Sequence, residues 1–225
     1  MRARRLGPAA VVGAAWLAGS VPFSNIAARA RARVDLRDVG GGTVSGTALY
    51  DVAGFGPMAV AGACDVAKGA VGPLLAGRDR PLLAAAAATA GVAGHNWSPW
   101  LGGAGGRGIS VTLGALLPRA GAGTVVLALG LAGGRLCHQT GLGSFVADVA
   151  LVPVVARVHG RAAAAAAGGV VAVMMAKRLA GNRPPEVADL RTFAHRLLFD
   201  RDPGWSPAAT PDPAAVPDEV EVVAS

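Results

Sequence analysis

The run GPMAVAGACDVAKGAVG, residues Gly56–Gly72, decides the fold class. Most of its residues are glycine, alanine or valine, and its only charged residues are Asp65 and Lys68. Small residues weaken helices in water, but in a bilayer they let helix backbones pack closely. Asp65 and Lys68 are three positions apart, so they share a helix face and could pair. The run is therefore predicted to lie in a membrane-spanning helix at 56–76. The pair is either structural, or its cation is left partly free to bind a phosphate.

The rest of the chain has the same character. Its 225 residues are 52% hydrophobic and 16% charged, and no acidic residue occurs between Asp79 and Asp148. A soluble domain of this size would need a more highly charged surface. Further apolar segments, each near the roughly 20 residues that a spanning helix needs, lie at 6–28, 82–101, 109–131, 136–157 and 163–180. We expect an all-α, polytopic integral membrane helical bundle with five to seven transmembrane helices, multi-pass in the cell membrane. We expect the first segment to be a retained span and not a removed signal peptide.

The net charge of +7 comes almost entirely from arginines in short polar gaps. The densest cluster, from Arg29 to Arg37, lies in the polar loop 29–55 and favours a cytoplasmic side for that loop. Nucleic acid is not an expected partner, because aromatic residues make up only 4% of the chain and are not interleaved with a basic stripe. From Asp200 the sequence becomes acidic and proline-rich, so we expect a membrane domain over 1–199 and a disordered tail over 200–225. Cys64 and Cys137 are expected to be buried free thiols.

A polar interruption, GHNWSPWLGGAGGRG at Gly94–Gly108, separates two apolar segments. Its GAGGRG matches a dinucleotide fingerprint only formally, because no strand precedes it and no acidic residue follows about twenty positions on. Two interpretations remain open: an anion site of backbone N–H groups beside Arg107, or a re-entrant turn. Trp97 and Trp100 are typical of a membrane interface, which would place His95 there as well. Neither a metal site nor a cofactor is predicted, because Cys137 and His138 have no companion at metal-ligand spacing.

Three ordered signatures over residues 16–110 resemble those of the bacterial integral-membrane glycerol-3-phosphate acyltransferases of the PlsY family, which use acyl phosphate as donor. The family's GSIPFG…AR…DIR…GSGNxGATN is similar to GSVPFSNIAARARARVDLRDVGGGTVSGTAL at 19–49. Its GHxFPxxxxFKGGKG is similar to GHNWSPWLGGAGGRG, and its Asp-x-x-Lys-Gly to Asp65, Lys68 and Gly69. Another family signature, HRxNIxRLLxGxE, lies further along the chain and is barely visible in MMAKRLAGNRP at 174–184.

Several positions depart from these signatures. Gly41 and Thr43 stand where the family has Ser and Asn, and Ala48 stands in place of a later Asn. Ala104 and Arg107 stand where the family has lysines. Arginine keeps the positive charge and can grip phosphate with two parallel N–H groups, though with a different geometry.

The resemblance implies a membrane enzyme that moves a fatty acyl group from acyl phosphate to glycerol 3-phosphate, with both substrates and the bilayer as partners and no cofactor. It implies His95, Arg107 and Lys68 as catalytic residues, with His95 as a proton acceptor or orienting group. The implied phosphate-binding residues are Ser20, Arg29, Arg37, Gly40, Gly41, Gly42, Gly105 and Gly106. Two alternatives remain: a PlsY-like protein that binds an anionic lipid or a partner without turnover, and an acyltransferase for another phosphorylated acceptor. The sequence gives no indication of the oligomeric state.

Overall fold

The computed structural model describes residues 6–204, which fold into helices joined by short loops. The α-helices of the described part, α1 to α10 in chain order, are Pro8–Ser20, Phe23–Ala32, Gly46–Ala53, Phe55–Ala76, Pro81–Asn96, Ile109–Leu116, Gly121–Leu136, Thr140–His159, Arg161–Ala180 and Leu190–Phe199. Short 3₁₀ turns lie at Leu36–Asp38 and Pro99–Leu101. Residues 205–225, most of the predicted tail, lie outside the described part.

Four stretches of the described part are long and apolar enough to cross a membrane: Pro8–Ala32, Phe55–Ala76, Thr140–His159 and Arg161–Ala180. The apolar helix Gly121–Leu136 is shorter. Large apolar side chains point outward from these helices, as expected for surfaces in contact with lipid, while alanine, valine and glycine fill the contacts between helices. The predicted all-α membrane bundle is confirmed.

Two predicted segments are each divided in the structure. The first apolar segment breaks at Val21 and Pro22, where α1 ends and α2 begins. Proline has no N–H to continue the ladder of helix hydrogen bonds, so the break falls where the sequence places it. The segment predicted at 109–131 divides at 117–120 into α6 and α7, and α6 has only 8 residues. The polar loop predicted at 29–55 contains the end of α2, a 3₁₀ turn and α3.

Glycines allow one of the closest helix crossings in the molecule, between α4 and α6. A Cβ atom added at Gly69 would collide with the carbonyl of Val111, and one added at Gly114 would collide with the carbonyl of Val66. This reciprocal contact brings the two backbones together, as the small residues of Gly56–Gly72 predict. It also places Lys68, the neighbour of Gly69, in the interior of the bundle.

The thiol predictions are only partly met. Both cysteines are free, but Cys64 is half-buried and Cys137 is exposed. Cys137 lies just after the end of α7, where the chain turns towards α8. The buried positions predicted for the two thiols were therefore wrong.

Candidate active site

The two glycine-rich loops, 40–45 and 102–108, lie side by side at one end of the bundle. The N–H of Val44 donates to the carbonyl of Gly105 at 3.2 Å. Asn182, just beyond α9, joins the loops further: its Nδ2 donates to the carbonyls of Gly42 and Gly105, each at 2.8 Å, and its Oδ1 accepts from the N–H of Gly105 at 3.1 Å. These two polar segments therefore share one side of the bundle.

A polar cleft of about 340 Å³ opens where these loops meet the C-terminal end of α9. Three cationic residues line it: Arg37, Lys177 and Arg183. Trp97 and the backbone of 101–104 form another part of its wall. The charges come from two separate parts of the chain, and only the packing of α9 against the loops brings them together.

Lys177 is the buried cation of the cleft. Its ammonium lies 5.2 Å from the centre of the Trp97 ring and 3.4 Å from the carbonyl of Gly103. Among the described residues, no carboxylate lies within ion-pair distance of this ammonium. A buried charge with such weak partners is poised to bind an anion.

Arg37 and Arg29 both pair with Asp35. The Asp35 carboxylate accepts from Nη2 of Arg37 at 2.7 Å and from the side chain of Arg29. The hydrogen bonds of Arg37, and then those of Arg29, hold the pKa of Asp35 well below its usual range. One carboxylate therefore orients two guanidinium groups and leaves a net positive charge. The Arg37 side chain also reaches the carbonyl of Leu101 at 3.4 Å.

Lys68 contacts several protein groups and is not a free cation. Its ammonium lies 2.7 Å from an Asp65 oxygen, 2.5 Å from the carbonyl of Val21 and 3.1 Å from Nδ1 of His95. Asp65 supplies the opposite charge, and the Val21 carbonyl and His95 Nδ1 lie at hydrogen-bond distance from the ammonium. The predicted pairing with Asp65 is confirmed. In this conformation Lys68 holds the break between α1 and α2 against the end of α5.

His95 lies between Lys68 and the second glycine loop. Its carbonyl accepts from the N–H of Gly106 at 3.3 Å, and a Cβ atom at Gly106 would collide with Nε2 of its ring. Gly106 must therefore lack a side chain for the imidazole to fit. A small apolar crevice lined by Phe23, Val44 and Leu101 adjoins the ring.

Arg107 points away from the cleft into protein contacts. Its Nε lies 2.6 Å from Oδ1 of Asp200, its Nη1 donates to the carbonyl of Lys177 at 3.1 Å, and its Nη2 donates to the hydroxyl of Thr43 at 3.2 Å. Asp200, assigned from sequence to a disordered tail, is thus part of this arrangement. The tail boundary predicted at 199/200 does not separate these two regions.

The structure does not bring every predicted phosphate ligand to the cleft. The Ser20 hydroxyl is buried, donates to the carbonyl of Leu17 at 2.8 Å and accepts from the indole N–H of Trp100 at 2.9 Å. The N–H groups of Gly42, Gly105 and Gly106 donate to acceptors within the protein. Gly42 lines the cleft, and Gly40 and Gly41 stand in the same loop beside it.

Sequence reasoning missed Lys177, Asn182 and Arg183. All three lie within MMAKRLAGNRP, the stretch in which the family signature HRxNIxRLLxGxE is barely visible. Arg183 donates to the carbonyls of Gly40 and Arg37 at 3.1 and 2.8 Å, so it closes the first glycine loop. Their shared position in the last turn of an apolar helix or directly after it was the available signal.

A family model described as glycerol-3-phosphate acyltransferase matches residues 9–183. The chain belongs to this family. The match includes both glycine-rich loops and the C-terminal end of α9, so it covers all the parts that form the cleft. The resemblance seen in the three signatures is thereby confirmed.

Individual relatives of the glycerol-3-phosphate acyltransferase family match shorter stretches. The chain is 38% identical over 105 residues to a glycerol-3-phosphate acyltransferase of Shouchella clausii. This alignment covers 45% of the present chain and 51% of the relative. The chain is 34% identical over 163 residues to one of a Synechococcus species, covering 71% and 81% respectively. The chain thus spans about half the length of the first relative and most of the second.

A crystal structure of PlsY, an integral membrane glycerol 3-phosphate acyltransferase in its glycerol 3-phosphate form, has a similar fold. The TM-score is 0.69 at 22% sequence identity, over 76% of this chain and 88% of that one. At this level of identity the likeness concerns the fold. It supports the assignment of the chain to a multi-pass integral membrane architecture.

Proposed function

We propose that this protein transfers a fatty acyl group from acyl phosphate to the primary hydroxyl of glycerol 3-phosphate at the cell membrane. The products would be lysophosphatidate and inorganic phosphate. Membership of the glycerol-3-phosphate acyltransferase family supports this proposal. The observation that carries it is the cleft at one end of an apolar bundle. There Arg37 and Arg183 converge with Lys177, which has no carboxylate partner within residues 6–204.

The charges of the cleft suit the two substrates. Acyl phosphate and glycerol 3-phosphate both carry phosphate groups, which repel each other unless cations lie between them. Lys177, Arg37 and Arg183 supply three positive charges, while Asp35 holds Arg37 in position. The cleft thus offers positioning and charge neutralisation, the two contributions that an already activated acyl donor requires.

The reaction needs no covalent enzyme intermediate. The hydroxyl oxygen of glycerol 3-phosphate attacks the acyl carbonyl carbon, and the bond from that carbon to the phosphate oxygen breaks. The phosphate leaves with the bonding electron pair. The hydroxyl proton passes to the leaving phosphate, whose oxygens lie next to the attacking group.

His95 then acts as an orienting residue. Its Nδ1 faces the ammonium of Lys68 at 3.1 Å, and an ammonium can only donate. Nδ1 is therefore the acceptor, and in the neutral ring the proton is carried by Nε2. A ring in this tautomer carries a donor at Nε2, where the ring meets Gly106 of the second glycine loop, and it cannot take a proton there. Of the two roles that the sequence left open for His95, we favour orientation over proton acceptance.

An acyl-transfer assay tests the proposal. The purified protein in detergent is given palmitoyl phosphate and radiolabelled glycerol 3-phosphate, with palmitoyl-CoA as an alternative donor and glycerol as an alternative acceptor. We expect lysophosphatidate only when palmitoyl phosphate and glycerol 3-phosphate are both present. Turnover with another phosphorylated acceptor alone would overturn the choice of acceptor. The absence of turnover with every combination would favour a binding protein.

A further inference from the structure

The C-terminal segment Asp189–Asp202 folds against the cleft although it lies beyond residue 183, where the family match ends. The Asp189 carboxylate accepts from the N–H of Thr192 at 2.7 Å, so it caps and starts α10. Thr192 and Arg196 are buried against the bundle. The segment therefore adds an ordered element to the matched core.

Arg196 attaches this segment to the end of α9. Its guanidinium donates to the carbonyls of Leu179 and Ala180, each at 3.2 Å, and to the carbonyl of Arg183 at 3.1 Å. The last carbonyls of a helix have no partner within the helix and form the negative end of its dipole, so a cation there stabilises the helix end. This helix end is the one that carries Lys177 to the cleft.

Asp200 makes the second attachment, through Arg107. The Arg107 side chain is only 12% exposed and that of Asp200 23%, so the carboxylate compensates a charge that is largely removed from water. Arg107 in turn bonds the carbonyl of Lys177 and the hydroxyl of Thr43. Asp200 is thus linked through a single guanidinium to two walls of the cleft, the end of α9 and the first glycine loop.

We propose that Asp189–Asp202 is a brace for the cleft and that Asp200 is a positioning residue, which fixes Arg107 and through it the backbone of Lys177. The proposal rests on the proposed function for its effect on catalysis. In its absence Arg107 would lose its counter-ion, and the end of α9 would lose its fixed distance from the first glycine loop. The brace would then set the affinity of the cleft for phosphate without touching the substrate.

An opposite role for the same contact would be inhibition, with Asp200 competing against the substrate for Arg107. The contacts favour the brace, because Arg107 does not line the cleft, its Nη1 and Nη2 donate to protein acceptors, and its Nε lies at ion-pair distance from Asp200. The two roles predict effects of opposite sign. Removal of the Asp200 charge slows a braced enzyme and speeds up an inhibited one.

Enzyme kinetics decide whether the Asp200 charge supports or inhibits the reaction. The variants to compare are Asp200→Asn, Asp200→Glu and Glu186→Gln. We expect Asp200→Asn to raise the KM for glycerol 3-phosphate or acyl phosphate about tenfold, the equivalent of about 1.4 kcal/mol, with a smaller change in kcat. Asp200→Glu keeps the charge and should restore much of the affinity. Glu186→Gln removes the same charge from an exposed position just before this segment and should leave KM unchanged. A lower KM in Asp200→Asn, or equal effects of Asp200→Asn and Glu186→Gln, would overturn the brace.

A double-mutant cycle of thermal unfolding tests the same contact without any turnover. Arg107→Ala and Asp200→Ala should each lower the midpoint, and the double variant should fall little further, because the two residues form one contact. Additive shifts would overturn the brace even if the enzyme is active. Coupled shifts in a protein that shows no acyl transfer would keep the brace and remove the proposed reaction.

Discussion

The cleft and the contact between α8, α9 and α10 each hold one buried cation from the same turn of α9. Lys177 and Arg178 are neighbours in the chain, and each is 1% exposed. The Arg178 guanidinium lies 3.6 Å from an Asp148 carboxylate oxygen and donates to the carbonyls of Gly141 and Leu197. Lys177 has a distant carbonyl and an aromatic face. Burial alone therefore does not distinguish a site residue from a structural one, whereas the presence of a carboxylate partner does.

The largest effect on stability is expected from Arg178→Met, which removes the structural cation of the pair Lys177 and Arg178. Asp148 would be left as a buried charge without its cation, at a cost of about 3–5 kcal/mol in the free energy of unfolding. Thermal unfolding in detergent measures the loss. The exposed Arg157→Met on α8 is the control and should change little. A double variant with Asp148→Leu should recover stability, and a double variant as unstable as Arg178→Met would contradict the ion-pair explanation.

Lys177→Met is expected to have the opposite pattern. Loss of the cleft cation should reduce acyl transfer about 100-fold, since preorganised charges of this kind contribute at that scale. The unfolding midpoint should stay near that of the unaltered protein, because the variant removes a poorly paired buried charge. Steady-state kinetics and thermal unfolding of the same preparation check both parts. A large loss of stability with activity retained would reverse the roles assigned to Lys177 and Arg178.

Asn182→Ala should produce a smaller effect on the cleft. The variant removes hydrogen bonds between the two glycine loops and leaves the N–H of Gly105 without its partner, a cost of about 1–3 kcal/mol. We expect a lower unfolding midpoint and a several-fold higher KM for the phosphate substrates. Gln139→Ala removes an exposed amide at the start of α8 and is the matched control. Identical behaviour of the two variants would show that the contact between the glycine-rich loops affects neither stability nor substrate affinity.

The smallest effect is expected from pH at Asp35. Its pKa is lowered in the folded protein, so its ion pairs stabilise the fold above the pKa of about 3.9 that an unfolded Asp has, and they are lost as pH falls through the lower folded value. Because Arg29 and Arg37 are substantially exposed, the stabilisation should be below about 1 kcal/mol. The difference in unfolding midpoint between the unaltered protein and Asp35→Asn should be constant from pH 8 to pH 5. A steady fall of that difference over this range would contradict the lowered pKa.

The helical bundle was predictable from sequence because long apolar runs indicate spanning helices, and the ordered signatures marked both glycine-rich loops. Lys177 and Arg178 show where that information ends. Neighbours on a helix differ in direction by about 100°, so one faces the cleft and the other faces α8, and only the rotation of α9 decides which. A run of residues that ends in two cations does not encode that rotation.

Arg107 and α10 show a second limit. The sequence predicted that Arg107, which lies among glycines, binds phosphate. Its partner Asp200 lies far along the chain, in a segment whose composition indicated disorder. The helix LRTFAHRLLF is short and amphipathic, so a search for long apolar spans passes over it. Its position on the bundle depends on tertiary contacts such as those of Arg196, which local patterns do not reveal.

The break between α1 and α2 restricts where the protein can open to admit a substrate. The carbonyl of Val21 at the break accepts from Lys68, and that of Ser20 accepts from the Ser98 hydroxyl at 2.7 Å. Such interrupted backbone is tolerated at membrane depth only while protein groups satisfy it. Separation of α1 and α2 from α4 and the loop at Ser98 would leave these carbonyls in an apolar layer without donors. A route that admits the substrate without separating α1 and α2 from α4 is therefore favoured.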